Sequence, residues 1–341
     1  MIVRSRSPLR LGLAGGGTDV SPFTDIYGGY VLNATIDRYA YASLARTEDN
    51  SVRLEGTDTQ QHFKGTSGRH IPLNGDLVLH KAVYNYVVHN YNHDEPLPID
   101  LKTFCEAPPG SGLGSSSTLV VAMLRAFVEY LNVPIDDYLL AKTAYDIERK
   151  DCGFQGGRQD QYATAFGGFN FMEFYANERA VINPLRIKNW IITEFESSLL
   201  LYFTGISRDS SRIIASQSNS VAANKGGALD AMKELKEEAL YMKENLLRGD
   251  FCGLAASFRR GWESKKRSAK LISNSCIEES YNAAIKSGAV AGKVSGAGGG
   301  GFMMFIVPPE RRMNVVRELS KLNGIIVPAH FTKHGVQSWW L

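Results

Sequence analysis

Three glycine-rich segments carry the residues best suited to chemistry. Pro108-Pro109-Gly110-Ser111-Gly112-Leu113-Gly114-Ser115-Ser116-Ser117 sets three glycines and four serines directly ahead of an apolar run, Leu119 to Leu131, that reads as a helix. Glycine lets the backbone approach a ligand closely and adopt dihedrals closed to other residues. The helix behind the loop would aim unpaired amides and a partial positive charge at whatever fills it. That arrangement binds phosphate. It is not the Walker form, because no Lys-Ser or Lys-Thr closes the loop, and taken alone it could equally be a flexible connection. Leu9-Arg10-Leu11-Gly12-Leu13-Ala14-Gly15-Gly16-Gly17-Thr18-Asp19 lies near the N-terminus, and Lys293-Val294-Ser295-Gly296-Ala297-Gly298-Gly299-Gly300-Gly301 precedes the apolar stretch Phe302 to Val307.

The elements that must position these loops alternate along the whole chain. Val3 to Leu13, Tyr39 to Ala45, Ile99 to Phe104, Phe169 to Tyr175 and Leu199 to Phe203 have strand character. Val78, Leu79, Ala82, Val83, Tyr86 and Val87 recur at helical spacing, so a helix is predicted over Asp76 to Asn90, and Asp136 reads as the cap of another. Helices are also expected at Ala228 to Leu247, Phe251 to Trp262, Ile277 to Lys286 and Glu310 to Leu322. Strands at Ala291 to Ser295, Phe302 to Val307 and Gly324 to Val327 are interleaved with the last two. The reading is an α+β chain that divides near Asn183 to Thr193.

Bulk properties narrow the possibilities. A length of 341 residues suits one large or two ordinary domains. The net charge is only +3, and the one short basic run, Lys265-Lys266-Arg267, reads as a solvated helix face, so a nucleic-acid partner is not expected. Cys105, Cys152, Cys252 and Cys276 are scattered with no C-x-x-C pair, which favours reduced thiols over zinc ligands. No apolar leader follows Met1, and no apolar run is long enough to span a bilayer. A cytoplasmic protein with no membrane partner is expected.

In this order the three glycine segments resemble the signature of the GHMP small-molecule kinases, the superfamily of galactokinase, homoserine kinase, mevalonate kinase and phosphomevalonate kinase. The resemblance runs from Ser7 to beyond Gly301. It implies a two-domain α+β fold with the site between the domains. The N-terminal nucleotide-binding domain, residues 1–185, would be like ribosomal protein S5 domain 2, and the C-terminal domain, residues 186–341, ferredoxin-like. It also implies ATP and Mg²⁺ as ligands.

Phosphoryl transfer is mostly positioning and charge neutralisation. By resemblance, Pro109, Gly110, Ser111, Gly112, Leu113, Gly114, Ser115, Ser116 and Ser117 cradle ATP. Ser116, with Ser115 or Ser117 as substitutes, would join Glu148 in holding Mg²⁺; a surface Glu in an i,i+4 pair is the alternative for Glu148. Gly156-Gly157-Arg158-Gln159-Asp160-Gln161 resembles the family's G-x-x-D-Q stretch. Asp160 would face the substrate hydroxyl as base or as anionic acceptor, unless it merely caps a helix beginning at Gln161. Arg10 matches the first motif's cation, which can favour a charged carboxylate beside it or stabilise the transferring phosphate. As an arginine it stays protonated and is no base.

The substrate side would draw on Gly16, Gly17, Thr18, Asp19, Arg158, Asp160, Arg208, Gly296, Ala297, Gly298 and Gly299. Asp19 would bind a sugar hydroxyl, and the Gly-Gly-Gly run would make room for a differently seated or further substituted sugar. The first motif and the Gly-Gly-Arg-Gln-Asp-Gln run resemble most the D-glycero-D-manno-heptose 7-phosphate kinases. Those enzymes phosphorylate the anomeric hydroxyl to the 1,7-bisphosphate for nucleotide-activated heptose and bacterial surface polysaccharide. A fucokinase-like sugar 1-kinase is the alternative, and a kinase-like sensor without turnover is a third reading from another class. A substrate phosphate calls for extra cations, with Arg158 and Arg208 ahead of Arg69 and Arg212. Lys293 reads as a strand-end lysine. A dinucleotide fingerprint is excluded by the glycine spacing and by the want of a following helix before Pro22. The adenine pocket is expected between Arg46 and Leu79.

Overall fold

The alternating stretches of the N-terminal half become one sheet, and the apolar runs of the C-terminal half become a second. In a computed structural model, which describes residues 1–207, 210–223 and 227–341, β1 (Ile2–Ala14) runs antiparallel to β2 (Gly29–Arg46). The first sheet continues with β3 (Ser51–Gly56), β4 (Gln61–Thr66), β5 (Ile99–Cys105), β6 (Phe169–Phe174) and β7 (Ala180–Pro184). β2 is long enough to serve two partners: Ala40–Arg46 pairs with β5, and Gly29–Ala34 pairs with β6. The helix Ser115–Tyr130 buries Val120, Val121, Met123, Leu124 and Phe127 in the core beneath β1 and β2.

The second sheet holds β8 (Leu199–Phe203), β9 (Ala291–Val294), β10 (Phe302–Ile306) and β11 (Ile325–Val327) in the antiparallel order β11-β8-β10-β9. With a helix segment between β8 and β9 and another between β10 and β11, this is the ferredoxin-like arrangement that the resemblance implies. Its central strands are apolar on both faces because both faces are covered. Leu199, Leu201, Phe302, Met304 and Ile306 enter the main core, while Leu200, Tyr202, Met303 and Phe305 enter a second one with Trp262, Ile277 and Val315. The period of two thus splits one run between two cores and fixes the second sheet against the first half.

The helices 228–248 and 251–268 form a hairpin whose turn is written in the chain. Gly249 closes the first in the left-handed conformation, and the Asp250 carboxylate caps the second through the Gly253 amide at 2.9 Å. The second helix runs on to Ser268, past the end expected at Trp262. That extension carries Lys265 with it.

Several elements were not anticipated: β3, β4 and β7, the helices 189–198 and 210–222, and a last strand, β12 (Gln337–Trp340). β12 returns to pair with β1, so the first sheet, of order β12-β1-β2-β5-β3-β4 with β6 on β2 and β7 on β6, includes residues from beyond the expected division at 185/186. The helix Asn189–Ser198 likewise gives Ile191 and Phe195 to the main core.

A buried histidine offers a test of this packing. His80, on the helix Val78–Tyr91, is 4% exposed with Nε2 2.7 Å from the Thr103 hydroxyl on β5. Burial pulls its pKa from 6.5 to about 4. The unfolded chain therefore binds this proton first, and stability falls as pH drops from about 6.5 to about 4, by roughly 3 kcal/mol in all. Urea midpoints measured across that interval should fall less steeply for His80→Gln than for the wild type; parallel slopes would contradict the buried neutral imidazole.

Candidate active site

The three glycine segments meet at one cleft of about 490 Å³. A Cβ on Gly112 would stand 2.4 Å from the Ser295 carbonyl oxygen, and one on Gly296 would stand 2.7 Å from Gly112 Cα. Both residues have positive φ. Glycine is required at each by contact as well as by conformation. The Ser295 hydroxyl donates to the Gly112 carbonyl at 2.9 Å, and Phe302 N–H donates to the Ser111 carbonyl at 2.8 Å. The first segment joins through β1, where pairing with β2 shifts register between Pro8 and Arg10. Such an irregularity re-aims side chains. Arg10 N–H donates to the Leu113 carbonyl at 3.1 Å.

The phosphate loop ends as expected in a helix N-terminus. Gly114 is left-handed, no side chain caps the helix, and the first amides of Ser115–Tyr130 open on the cleft. Pro109, Gly110, Gly112, Gly114, Ser115, Ser116 and Ser117 line it. Ser111 and Leu113 do not. They are 0% and 1% exposed, and their carbonyls hold the other two segments, so they support the cradle from behind.

Arg10 and Asp160 form the ion pair the sequence suggests. Arg10 Nε donates to Asp160 Oδ1 at 2.7 Å, and its Nη2 lies 2.7 Å from the same oxygen. Nη1 donates to the Gly112 carbonyl at 2.6 Å, so one guanidinium ties the acid to the phosphate loop. Asp160 lies in the first turn of the helix Gln159–Phe166, one position before its expected start, and lines the cleft.

Glu148 is not a surface residue. It is 1% exposed in a π-helical turn, Ile147–Asp151, that continues the helix Asp137–Asp146; such turns recur at functional sites. Its Oε1 accepts from the Ser116 hydroxyl and lies 3.2 Å from Arg149 Nη1, while Oε2 accepts from Ser117 Oγ at 2.6 Å and Gln161 Nε2 at 2.7 Å. Ser115 is committed elsewhere, to the Pro108 carbonyl at 3.1 Å. No cluster of three or more His, Cys, Asp or Glu suited to a metal exists among the described residues. A carboxylate joined by one or two hydroxyls is nevertheless a donor set that fits Mg²⁺, which takes oxygen ligands and keeps several waters.

Gly17 and Asp19 line the cleft, with Gly16 beside it. Asp19 Oδ1 accepts from Gly17 N–H at 3.1 Å and Gln159 Nε2 at 3.0 Å, and Oδ2 accepts from Gln159 N–H at 3.0 Å. From the third segment Gly296, Ala297 and Gly298 reach the cleft, whereas Gly299 is tied down behind it. Its N–H donates to the Ile272 carbonyl at 2.7 Å, and its own carbonyl accepts from Asn274.

Three other expectations are corrected. Thr18 is fully buried, its hydroxyl donating to the carbonyls of Gly15 and Tyr30, so it fixes the turn and does not touch the cleft. Arg158 turns away from the cleft: it is 5% exposed, donates to Thr24 Oγ1 and the Tyr175 carbonyl at 3.0 Å each, and lies over the Phe174 ring. Its place in the motif is structural. Room at the Gly-Gly-Gly turn is taken up by the protein itself: a Cβ on Gly15 would overlap the Tyr30 carbonyl, and one on Gly17 would stand 2.8 Å from Gln217 Oε1. Arg208 lies outside the described residues. Arg69 and Arg212 are exposed and do not line the cleft, nor does any residue from 46–79.

Sequence reading missed the two buried lysines. Lys265, taken for part of a solvated run, is 4% exposed and lines the cleft, donating to the carbonyls of Gly296 at 2.7 Å and Gly16 at 3.2 Å. Burial pushes it down to about 8; Asp19 opposes that shift, Arg10 adds to it and Asp160 opposes it. The signal was available: Phe258, Trp262 and Lys265 share one helix face, and the first two are core residues. Lys293 is 7% exposed and donates to the carbonyls of Gly12 and Leu13 at 2.9 and 2.8 Å. Burial first, then Lys265 and Arg10, hold it well below the usual lysine range. Arg149 was passed over too; it lines the cleft with its guanidinium against Gly156.

A glycine phosphate loop, an arginine-paired aspartate and a buried glutamate at the helix N-terminus, on this pair of sheets, define a small-molecule kinase. The family model for the GHMP kinase N-terminal domain matches residues 78–168, and that for the C-terminal domain matches residues 242–324. The chain belongs to the GHMP kinase family. It is 46% identical over 337 residues to a D-glycero-alpha-D-manno-heptose 7-phosphate kinase of Campylobacter jejuni, covering 99% of this chain and 98% of that one. A crystal structure of a D-glycero-D-manno-heptose 1-phosphate kinase from Bacteroides thetaiotaomicron superposes with a TM-score of 0.85 at 43% identity, covering 99% of each chain. An L-fucokinase/L-fucose-1-P guanylyltransferase of Bacteroides fragilis is 26% identical over 97% of this chain and 37% of its own length. No helix among the described residues is long and apolar enough to cross a membrane.

The contact between glycine loops gives a paired prediction. Gly75 is left-handed with nothing within 4 Å of an added Cβ, so Gly75→Ala should cost only the conformational term, about 1–2 kcal/mol. Gly112→Ala adds a backbone overlap and should cost roughly twice that or more, with loss of ATP binding. Thermal unfolding and nucleotide titration of the two variants check it; equal effects would mean the loops can separate freely.

Proposed function

We propose that this kinase uses ATP to phosphorylate the anomeric hydroxyl of D-glycero-D-manno-heptose 7-phosphate, giving the 1,7-bisphosphate. The observation that carries the chemistry is the Arg10–Asp160 pair at 2.7 Å, set between the phosphate loop and the Asp19 turn. The sugar is proposed from the 46% identity to a heptose 7-phosphate kinase over nearly the full length of both chains.

In this reading the loop amides from Gly110 to Ser117 hold the ATP phosphates. Ser116 and Glu148 would hold Mg²⁺, whose chemistry would be to neutralise phosphate charge. Both Arg10 contacts fall on Asp160 Oδ1, which leaves Oδ2 for the attacking hydroxyl. The hydroxyl oxygen bonds to the γ-phosphorus as the bond to the leaving ADP oxygen breaks. Its proton passes to Asp160, or leaves to solvent while Asp160 orients the hydroxyl. Arg10 remains protonated throughout and stabilises charge on the transferring group. Asp19 is the acceptor for a sugar hydroxyl.

The fucokinase alternative is not favoured, since identity to that relative is 26% against 46%. A sensor without turnover is not favoured either, because the acid, its arginine and the metal pair are all assembled.

Two measurements test the proposal. ADP release with Mg-ATP should select heptose 7-phosphate over heptose 1-phosphate, unphosphorylated heptose, fucose and galactose. Preference for the 1-phosphate would move the acceptor to the other end of the sugar, and preference for fucose would restore the alternative. Asp160→Asn should lower kcat by about 10²- to 10⁴-fold with nucleotide affinity nearly unchanged. Parallel loss of nucleotide binding would assign Asp160 to the cradle instead.

A further inference from the structure

The buried ammonium of Lys265 is placed where no structural need accounts for all of it. An ammonium has three donors. Two are used, on the Gly296 carbonyl of the third glycine segment and the Gly16 carbonyl of the first. Its helix, 251–268, belongs to the C-terminal half, so the side chain reaches across the cleft to a turn of the N-terminal sheet. Both protein acceptors are neutral, and Arg10, a like charge, is close enough to act on it. A charge taken from water costs several kcal/mol unless it is well paired. A tether between two carbonyls needs no charge, because a neutral amide would serve.

The surroundings supply the missing partner. Lys265 lines the cleft, where Asp19 and Asp160 both favour its charged form. Asp19 already accepts from three N–H groups, so it is rigidly oriented. A sugar hydroxyl beside it would donate to the carboxylate and need a donor in return. The ammonium and the Gln159 side-chain amide both stand beside the Gly-Gly-Gly turn, each 3.6 Å from where a Cβ on Gly16 would lie.

We propose that Lys265 is a sugar-binding residue of this kinase, its third N–H donating to a hydroxyl of the acceptor sugar that also meets Asp19. The role rests on the sugar kinase reading above. It separates the acceptor from ATP, since the lysine lies against the first and third segments and not in the phosphate loop. It also predicts a pH dependence with a definite sign. Asp19 and Asp160 favour the ammonium, Arg10 opposes it, and the buried Lys293, itself held well below its usual range, faces it. The ammonium form exists below about pH 8, so acceptor binding weakens as pH rises through that value.

The test uses Lys265→Met, which keeps an unbranched apolar stem one atom shorter and removes the donors. In the folded variant KM for the sugar phosphate should rise about ten-fold or more, with KM for ATP within about three-fold. For the wild type, kcat/KM for the sugar should fall above about pH 8 while that for ATP changes less. The variant should lack that alkaline limb. A purely structural lysine predicts instead that both KM values move together with the unfolding midpoint, and that result would overturn the proposal. Should the variant fail to fold, the wild-type profile still decides: equal alkaline behaviour for sugar and ATP overturns it. Turnover of a sugar phosphate with an unchanged KM in the variant defeats this role alone. Absence of turnover with every sugar in the panel defeats the kinase reading and this role with it.

Discussion

The site depends on two backbones touching without side chains between them. Gly112 and Gly296 bring the phosphate loop of the first half against the β9–β10 turn of the second, at a separation that excludes even a methyl group. The Gly112 carbonyl is then shared by Arg10 Nη1 and the Ser295 hydroxyl. Because Arg10 is oriented there, its Nε and Nη2 are fixed toward Asp160, and the geometry of the carboxylate proposed to meet the acceptor is inherited from a glycine contact. The two-faced burial of β8 and β10 gives that contact its rigidity, since the second sheet cannot shift without opening the main core.

Among the described residues three carboxylates meet the cleft, and each is held in a different way. Asp19 is held by three N–H groups, two on Oδ1 and one on Oδ2, which orients it and leaves Oδ2 able to accept once more. Asp160 is charge-paired through one oxygen, which suits a group that must meet a hydroxyl with the other. Glu148 is held largely by hydroxyls and an amide, with Arg149 alongside, and these neutral bonds can be exchanged for a cation at modest cost. Three acids with the same intrinsic chemistry are thereby separated by their partners alone.

The fold class and the three loops were legible because three glycine segments stand in the order of a known family signature, although each alone could be a flexible connection. The sequence also exposed the acid and its arginine, through the ordered motifs, and most long elements, through period and through the cap at Asp136. What it hid were facts of long-range packing. Nothing local to Gln337–Trp340 says that it returns to β1, and the polar faces of β3 and β4 weaken their strand signal. Arg158 looked like a ligand because it stands in a motif, yet Thr24 of the short helix Phe23–Tyr27, with Phe174 and Tyr175 at the end of β6, captures it. Ser111 and Leu113 alternate inward within a loop that otherwise faces out.

The buried lysines show how such errors arise. A run of three basic residues invites a surface reading, but a helix distributes neighbours around its axis, and Lys265 falls on the stripe of Phe258 and Trp262. Once it is placed there, the Gly-Gly-Gly turn takes on a different meaning. Its missing side chains do not leave a hollow for a bulky sugar. They admit the Tyr30 carbonyl at Gly15 and Gln217 at Gly17, and Lys265 and Gln159 pack in ordinary contact beside Gly16. Gln217 belongs to the helix 210–222 and Lys265 to the helix 251–268, both in the second half. The first motif therefore packs closely against side chains that come from helices no glycine motif announces.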